Sequence, residues 1–361
     1  MRVTDFDFDL PSSLIAQEPA SPRDSARLLY VPETGSVQDV GIRDLARLLH
    51  PGDRLIVNDT RVIPARLTGT RIRPSVTTGG TGAKMEITLH KAEGPDTWRA
   101  FAKPAKKLSP GDVIDFGSGL SADFLDKNDA GEVTLRFSQS GADLMASIQR
   151  IGIMPLPPYI KRDRNGLESD MDDYQTLFAA NDGAVAAPTA SLHFTPAVLS
   201  ALEERGVQIS RLTLHVGAGT FLPVKVEDTD DHEMHSEWGE LCEDAADEIN
   251  QTLREGGRVV AAGTTALRLV ESAADENGVV HPFMGETDIF ITPGYTFRAV
   301  DVLLSNFHLP KSTLFMLVSA LVGTDHMKDA YAHAMKEGYR FYSYGDATLL
   351  ERRTEGSKQT P

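Results

Sequence analysis

Between Ile63 and Ser138 the hydrophobic pattern runs with a period of two, and on either side of that stretch it does not. Met85, Ile87 and Leu89 alternate with polar residues, and so do Val133, Leu135 and Phe137. Trp98–Ala102, Asp112–Phe116 and Leu120–Leu125 are further short runs, with Gly, Asp, Asn or Pro between them. Six short strands across this stretch, these five among them, with turn signals and no helical period predict a small antiparallel barrel. The glycine-rich patch Ser75–Gly82 reads as a hairpin loop inside it.

The flanking sequence alternates strands with helices. Leu55–Asn58, Arg211–Val216 and Arg258–Ala262 have the apolar character of buried strands. Thr195, Pro196 and Gly206 supply an N-cap, a first-turn proline and a C-terminal glycine, which bracket a helix. Glu243–Arg254 and Asp325–Glu337 also read as helices. The fold class expected is therefore a mixed α/β domain, residues 1–62 plus 140–361, carrying an inserted six-stranded antiparallel β-barrel, residues 63–139.

The 361 residues are 41% hydrophobic and 24% charged, an ordinary globular composition. The N-terminus has no basic stretch followed by an apolar one, so no secretory signal is expected. The longest apolar run, Leu314–Val322, is far short of the ~20 residues a membrane helix needs. Cys242 is the only cysteine, which excludes an internal disulfide. These features predict a cytoplasmic protein without a membrane partner. A monomer is expected, with a dimer as the alternative. The net charge of −16 argues against a polyanionic partner, yet it is unevenly spread. Arg61–Pro110 holds ten Lys/Arg against three Asp/Glu, and Lys225–Glu255 holds two against twelve. Arg66, Arg71, Arg73, Lys103, Lys106 and Lys107 form the basic part of the barrel segment and suit phosphate contacts, flanked by Arg150, Lys161, Arg162 and Arg164. A solvated mixed-charge surface is the competing reading.

Five motifs place polar, catalytically capable residues at element ends. LIVNDTRVIPARL puts Asn58, Asp59 and Arg61 after a strand. GAVAAPTASLHFT puts Thr189 and His193 before a capped helix. LTLHVGAGTFLPV puts His215 before a loop with Gly217, Gly219 and Thr220, where glycines let a ligand approach the backbone. That loop lacks the third glycine of a dinucleotide fingerprint, because Leu222 stands there. MHSE contains His235 and Glu237. AAGTTALRLVES begins a helix at Thr264 and Thr265, with Arg268 one turn on, a natural anion site. Asn306 and His308 follow another strand, and Tyr344 and Asp346 sit in a C-terminal aromatic cluster suited to a nucleobase. His193, His215 and His235 are candidates for proton transfer near neutral pH. His232 and His235 are three apart, but no H-E-x-x-H helix or cysteine pair accompanies them, so no metal is expected.

Taken together, DFDFDLPSSLIAQEPASPRDSARLL, these motifs, SNFHLPKSTLFMLVSALVG and YRFYSYGDATLL resemble the S-adenosylmethionine:tRNA ribosyltransferase-isomerase family of queuosine biosynthesis. The resemblance runs from about residue 1 to 350 and leaves a polar tail, residues 351–361. It implies the same two-part fold. It also implies transfer and isomerisation of the S-adenosylmethionine ribosyl group onto 7-aminomethyl-7-deazaguanine at the tRNA wobble position. Epoxyqueuosine would form as adenine and methionine leave, with S-adenosylmethionine as co-substrate and no other cofactor. The sequence departs from the family pattern where glycine is expected at Ser191, arginine near Asp173 and methionine near Thr348.

For that chemistry His215 is the first choice of base, with His193 and His235 behind it and Glu237 or Asp59 to orient the histidine or balance the sulfonium. Thr264, Thr265 and Arg268 are expected to hold the methionine carboxylate. Asn306, His308, Tyr344 and Asp346 are expected to read the deazaguanine, and Asn58, Arg61 and the glycine loop to line the substrate site. An S-adenosylmethionine-dependent RNA methyltransferase and a non-catalytic RNA-binding module are the alternatives.

Overall fold

The computed structural model describes residues 1–73, 82–128, 131–163, 166–217 and 224–353. The expected hairpin loop at Ser75–Gly82 falls almost wholly outside them, as do Arg164, Gly219 and Thr220.

The chain enters through β1 (Arg27–Val31), β2 (Gln38–Gly41), α1 (Leu45–Leu48), β3 (Arg54–Asn58) and β4 (Thr60–Val62). Then come β5 (Arg66–Ile72), β6 (Lys84–Ala92), β7 (Thr97–Lys103), β8 (Val113–Gly117), β9 (Leu120–Lys127) and β10 (Glu132–Phe137). These six close into a barrel in the order β10-β7-β6-β5-β8-β9, every pairing antiparallel. The predicted alternation is the reason: Met85, Ile87 and Leu89 point inward with Val133, Leu135 and Phe137 into one apolar core.

The return path is α2 (Gly141–Ile151), α3 (Asp170–Asp173), β11 (Asn181–Ala184), α4 (Pro196–Arg205) and β12 (Gln208–Leu214). It continues through β13 (Glu237–Leu241), α5 (Glu243–Arg254), β14 (Val259–Ala262), α6 (Thr264–Ala273), β15 (Phe283–Thr287), β16 (Val302–Asn306), α7 (Thr313–Val322), α8 (Thr324–Lys336) and β17 (Ala347–Glu351). The α4 signals act as read: Thr195 Oγ1 accepts from Val198 N at 3.4 Å, and Gly206 ends the helix in the left-handed region.

Among the described residues the main sheet has the order β15-β13-β12-β3-β14-β16-β17-β1-β2. Its centre, β12-β3-β14-β16, is parallel. β3, β14 and β16 are buried throughout, in keeping with their largely apolar sequences. Successive residues serve opposite faces. Ile56, Ala261 and Leu303 pack under α5, α6, α7 and α8, while Leu55, Val57, Val260, Ala262 and Leu304 pack under α1 and α4.

β4 leads from the sheet into the barrel. β11, which follows α2 and α3 on the return path, pairs with it in parallel, Asn181 opposite Thr60 and Asp182 opposite Arg61.

Candidate active site

The parallel strands β12, β3, β14 and β16 all end on one edge of the sheet. His215, Asn58, Gly263 and Asn306 stand there or one residue beyond. The chain leaves β3 toward β12 on one side and leaves β14 toward β16 on the other, so a topological switch lies between β3 and β14. Crevices at such points are where open α/β sheets bind ligands. Asn58 spans this one. It is fully buried and donates to Leu214 O at 2.9 Å and Thr265 Oγ1 at 3.3 Å. Its oxygen accepts from Leu214 N at 3.0 Å and Thr60 N at 3.1 Å. Asn58 thus fastens β3 to β12 and to the start of α6; its hydrogen bonds are spent within the protein.

His215 is gripped on three sides. Its ring lies nearly parallel to the Trp238 indole, with centroids 5.3 Å apart and planes 19° apart. Gly183 lies against the ring: a Cβ there would stand 2.7 Å from Cε1, so any other residue would displace the imidazole, and φ is +152°. Thr60 Oγ1 meets Nδ1 at 2.8 Å. Nε2 has no hydrogen-bond partner among the described residues. Burial pushes the His215 pKa below its ordinary value, and Asp59 and Asp182 partly counter it. The ring is therefore neutral at pH 7 and able to accept a proton. Asp59 sits behind it, accepting from Thr213 Oγ1 at 2.7 Å and Asn181 Nδ2 at 3.1 Å. It acts on His215 through charge, without touching it.

Two residues beyond His215, Gly217 N donates to Glu237 Oε1 at 3.0 Å. Glu237 Oε2 receives Arg268 Nη1 at 2.5 Å, and both side chains are only 6% exposed. Arg268 Nε donates to Ile289 O at 3.3 Å, while its Nη2 is buried with no partner among the described residues. A buried guanidinium with a donor left over can take up an anion at little further cost, because an unmet buried donor is itself costly. Thr264 is buried and Thr265 half-buried in the same first turn of α6.

A second cluster follows along the edge. Asn306 accepts from Thr189 Oγ1 at 2.9 Å and its amide nitrogen meets His193 Nε2 at 3.3 Å. Burial, with Arg340 and Arg23 nearby, lowers the His193 pKa to about 4. His193 and Tyr344 line a small pocket with Arg23, Leu192 and Ser343. The Tyr344 hydroxyl and the Ser191 hydroxyl are buried without partners among the described residues. His308 is turned to Ser305 Oγ at 2.8 Å, and burial lowers its pKa to about 3. Asp346 accepts from Arg340 N at 2.8 Å and Arg27 N at 3.1 Å, so it latches the C-terminal turn to β1. Gly263 joins the two clusters, since a Cβ there would lie 3.5 Å from Ala190, in the turn that carries His193. His215, Arg268 and His193 thus belong to one continuous edge. His235 is exposed and lies on the barrel side, its ring 6.1 Å from that of His90.

Arg61 is exposed and donates to Ala179 O at 3.0 Å, along the ribbon. Among the basic barrel residues, Lys103, Lys106 and Lys107 are exposed at the end of β7. Arg73 is tied to the buried Asp112 at 2.9 Å, and Arg71 approaches the same carboxylate at 3.9 Å and donates to Lys107 O. Arg66 is half-buried on β5. The lysines are thus the more accessible charges. Asp173, one of the departures, lies 3.9 Å from Arg23; another, Thr348, donates to Ser305 O at 3.2 Å.

Sequence reasoning missed Trp238, Thr60 and Gly183. Trp238 directly follows Glu237 and Thr60 stands between Asp59 and Arg61, so both were adjacent to residues already singled out, while Gly183 opens the motif that carries His193.

A family model described as queuosine biosynthesis protein matches residues 3–350. S-adenosylmethionine:tRNA ribosyltransferase-isomerases of Parvibaculum lavamentivorans and Rhodospirillum rubrum are 62% and 60% identical to the chain. Both alignments cover 97% of it, and 99% and 98% of the respective relatives. The crystal structure of an S-adenosylmethionine tRNA ribosyltransferase from Thermotoga maritima is similar at 32% identity, with a TM-score of 0.54. It covers 96% of this chain and 99% of that one.

Proposed function

The chain belongs to the queuosine biosynthesis family of S-adenosylmethionine:tRNA ribosyltransferase-isomerases, and from that premise we propose that it acts on tRNA carrying 7-aminomethyl-7-deazaguanine at the wobble position. The ribosyl part of S-adenosylmethionine is transferred to that base and isomerised, giving epoxyqueuosine with release of adenine and methionine. The observation that carries this reading is the clamped, neutral His215, whose Nε2 has no partner among the described residues and which lies two residues before Gly217, the residue that meets the Glu237–Arg268 pair.

In this reading Thr60 accepts from Nδ1–H, which leaves the lone pair on Nε2. His215 removes a proton from the carbon beside the positively charged sulfur, and the sulfonium stabilises the carbanion left behind. Glu237, buried beside the glycine loop, offsets the sulfonium charge. Arg268 Nη2, with the start of α6, holds the methionine carboxylate. Tyr344 and the Asn306–His193 pair contact the extruded deazaguanine, and Asn58, Asp59 and Asp346 position their neighbours. Lys103, Lys106 and Lys107 hold tRNA phosphates. Residues 1–62 with 140–361 act as the catalytic unit and 63–139 as the tRNA-gripping insertion. The protein works as a cytoplasmic monomer; no helix among the described residues is long and apolar enough to cross a membrane.

The test is incubation with S-adenosylmethionine and an anticodon stem-loop bearing the deazaguanine, followed by mass analysis. A ribosyl-derived mass gain with free adenine and methionine supports the reading. S-adenosylhomocysteine and a methylated RNA would replace it with the methyltransferase, and no consumption of S-adenosylmethionine would leave the RNA-binding module.

A further inference from the structure

Where the barrel meets the sheet, three side chains from distant parts of the sequence converge. His90 lies on β6, Glu132 on β10, and His235 just before β13. One donor atom from each lies within 4.8 Å of the other two. The His90 and Glu132 side chains are 8% and 9% exposed, with Nε2 and Oε1 3.4 Å apart. That spacing is long for a charge-assisted hydrogen bond, normally about 2.7–2.9 Å. It equals the edge of a tetrahedron whose metal–ligand bonds are about 2.0–2.2 Å, the range of zinc with imidazole and carboxylate. Glu132 is already held by outer partners: Asn128 Nδ2 donates to Oε2 at 2.8 Å, and Arg99 lies 3.6 Å from the same oxygen. Metal-ligating carboxylates are commonly fixed in this way.

We propose that His90, Glu132 and His235 form a binding site for a divalent transition-metal ion of the zinc type, with water as fourth ligand, tying the barrel to the α/β half. Two imidazoles and one carboxylate suit such an ion better than magnesium or calcium. His235, on an exposed loop, closes the set by a side-chain rotation. The His90 ring already lies against the loop beyond His215, since a Cβ at Gly217 would be 3.0 Å from its Cε1. The ion thus pins the barrel beside that loop, and it withdraws His235 from proton transfer. Reading short spacings along the sequence could not show this site, because the ligands come from residues 90, 132 and 235.

The experiment titrates chelator-treated, full-length protein with zinc by calorimetry and with cobalt by visible absorption. One ion per chain is expected, with the cobalt bands of a four-coordinate site. Losing even an outer partner of a metal ligand costs about ten- to a hundredfold in affinity, so Glu132→Gln and His235→Ala should each weaken binding at least that much. The surface substitution His281→Ala should leave it unchanged. Zinc should raise the melting temperature of the wild type but not of Glu132→Gln, which keeps the side chain's shape and so preserves folding. No binding by the wild type, or equal binding in Glu132→Gln and His235→Ala, overturns the site. So does a loss of binding in His281→Ala, which would mean scattered surface histidines.

Discussion

The His215 imidazole and the Trp238 indole lie nearly parallel, 19° apart, and the Thr60 hydroxyl fixes the ring's Nδ1 at 2.8 Å. A ring held in this way presents one nitrogen in one direction. Replacing it, His215→Ala, should abolish ribosyl transfer while tRNA binding stays near wild type. Turnover close to wild type would remove His215 from the reaction.

The same ring sets a pH dependence. Its pKa is lowered by burial, and Asp59 and Asp182 raise it in part. A base must be neutral, so kcat/KM should rise with pH through this lowered pKa and level off above it. Asp182→Asn removes one raising charge and should move that rise to lower pH. A profile that stays put or moves upward would mean that another group titrates.

Gly183→Ala isolates positioning from chemistry. The new Cβ would collide with the imidazole, 2.7 Å from Cε1, and push the ring off its seat. A displacement of this size costs about a hundredfold in kcat. The melting temperature should change far less than the rate, and unchanged kcat would show that the seat is unimportant.

Arg268→Ala should weaken S-adenosylmethionine by about ten- to a hundredfold, the worth of a hydrogen bond to a charged group. It also leaves Glu237 buried without its cation, which by itself costs about 3–5 kcal/mol of stability. The double variant with Glu237→Gln relieves that cost, and its affinity compared with that of Glu237→Gln alone isolates the contribution of Arg268. Unchanged affinity by calorimetry, in both variants, would refute the carboxylate assignment.

Lys106→Glu with Lys107→Glu should weaken tRNA binding and flatten its dependence on salt, since each lost phosphate contact lowers the slope by about 0.7–0.9. An unchanged slope would place the RNA on another face.

His193 adds an acid limit to stability. Folding holds its pKa at about 4, whereas the unfolded chain titrates near the ordinary histidine value. The folded state then binds fewer protons between those two values. The contribution is fully present above about 6.5 and is lost as pH falls toward 4, about 3 kcal/mol in all. Melting curves of His193→Gln should vary less with pH across that window, and an equal slope would assign the acid sensitivity elsewhere.

The strands β3, β12 and β14 and the barrel, apart from β5, where only Leu67 is buried, were legible because burial leaves a periodic or continuous apolar trace. β13, with Glu237 and Glu240 in five residues, gave no such trace, and neither did the ribbon strand β11, which contains Asn181, Asp182 and Gly183. Those strands exist because a partner strand completes their hydrogen bonds. At the site, His215, Glu237 and Arg268 were visible as polar residues at element ends. Trp238, Thr60 and Gly183 were not, because their roles are contacts with His215 across 23, 155 and 32 positions of sequence. Asp346 and Asn58 were visible as polar residues, but sequence could not show that Asp346 holds the backbone N–H groups of Arg340 and Arg27 or that Asn58 ties Leu214, Thr60 and Thr265 together.

β4 leads from the sheet into the barrel, β11 pairs with it on the return path, and this ribbon supplies Thr60 and Gly183. The handle by which RNA would pull on this molecule is therefore continuous with the vice that holds its reactive nitrogen. A load applied to the barrel would reach that vice along the ribbon, and it would reach the loop beyond His215 through the His90 ring, 3.0 Å from where a Cβ at Gly217 would stand. Docking and aim would then be a single adjustment.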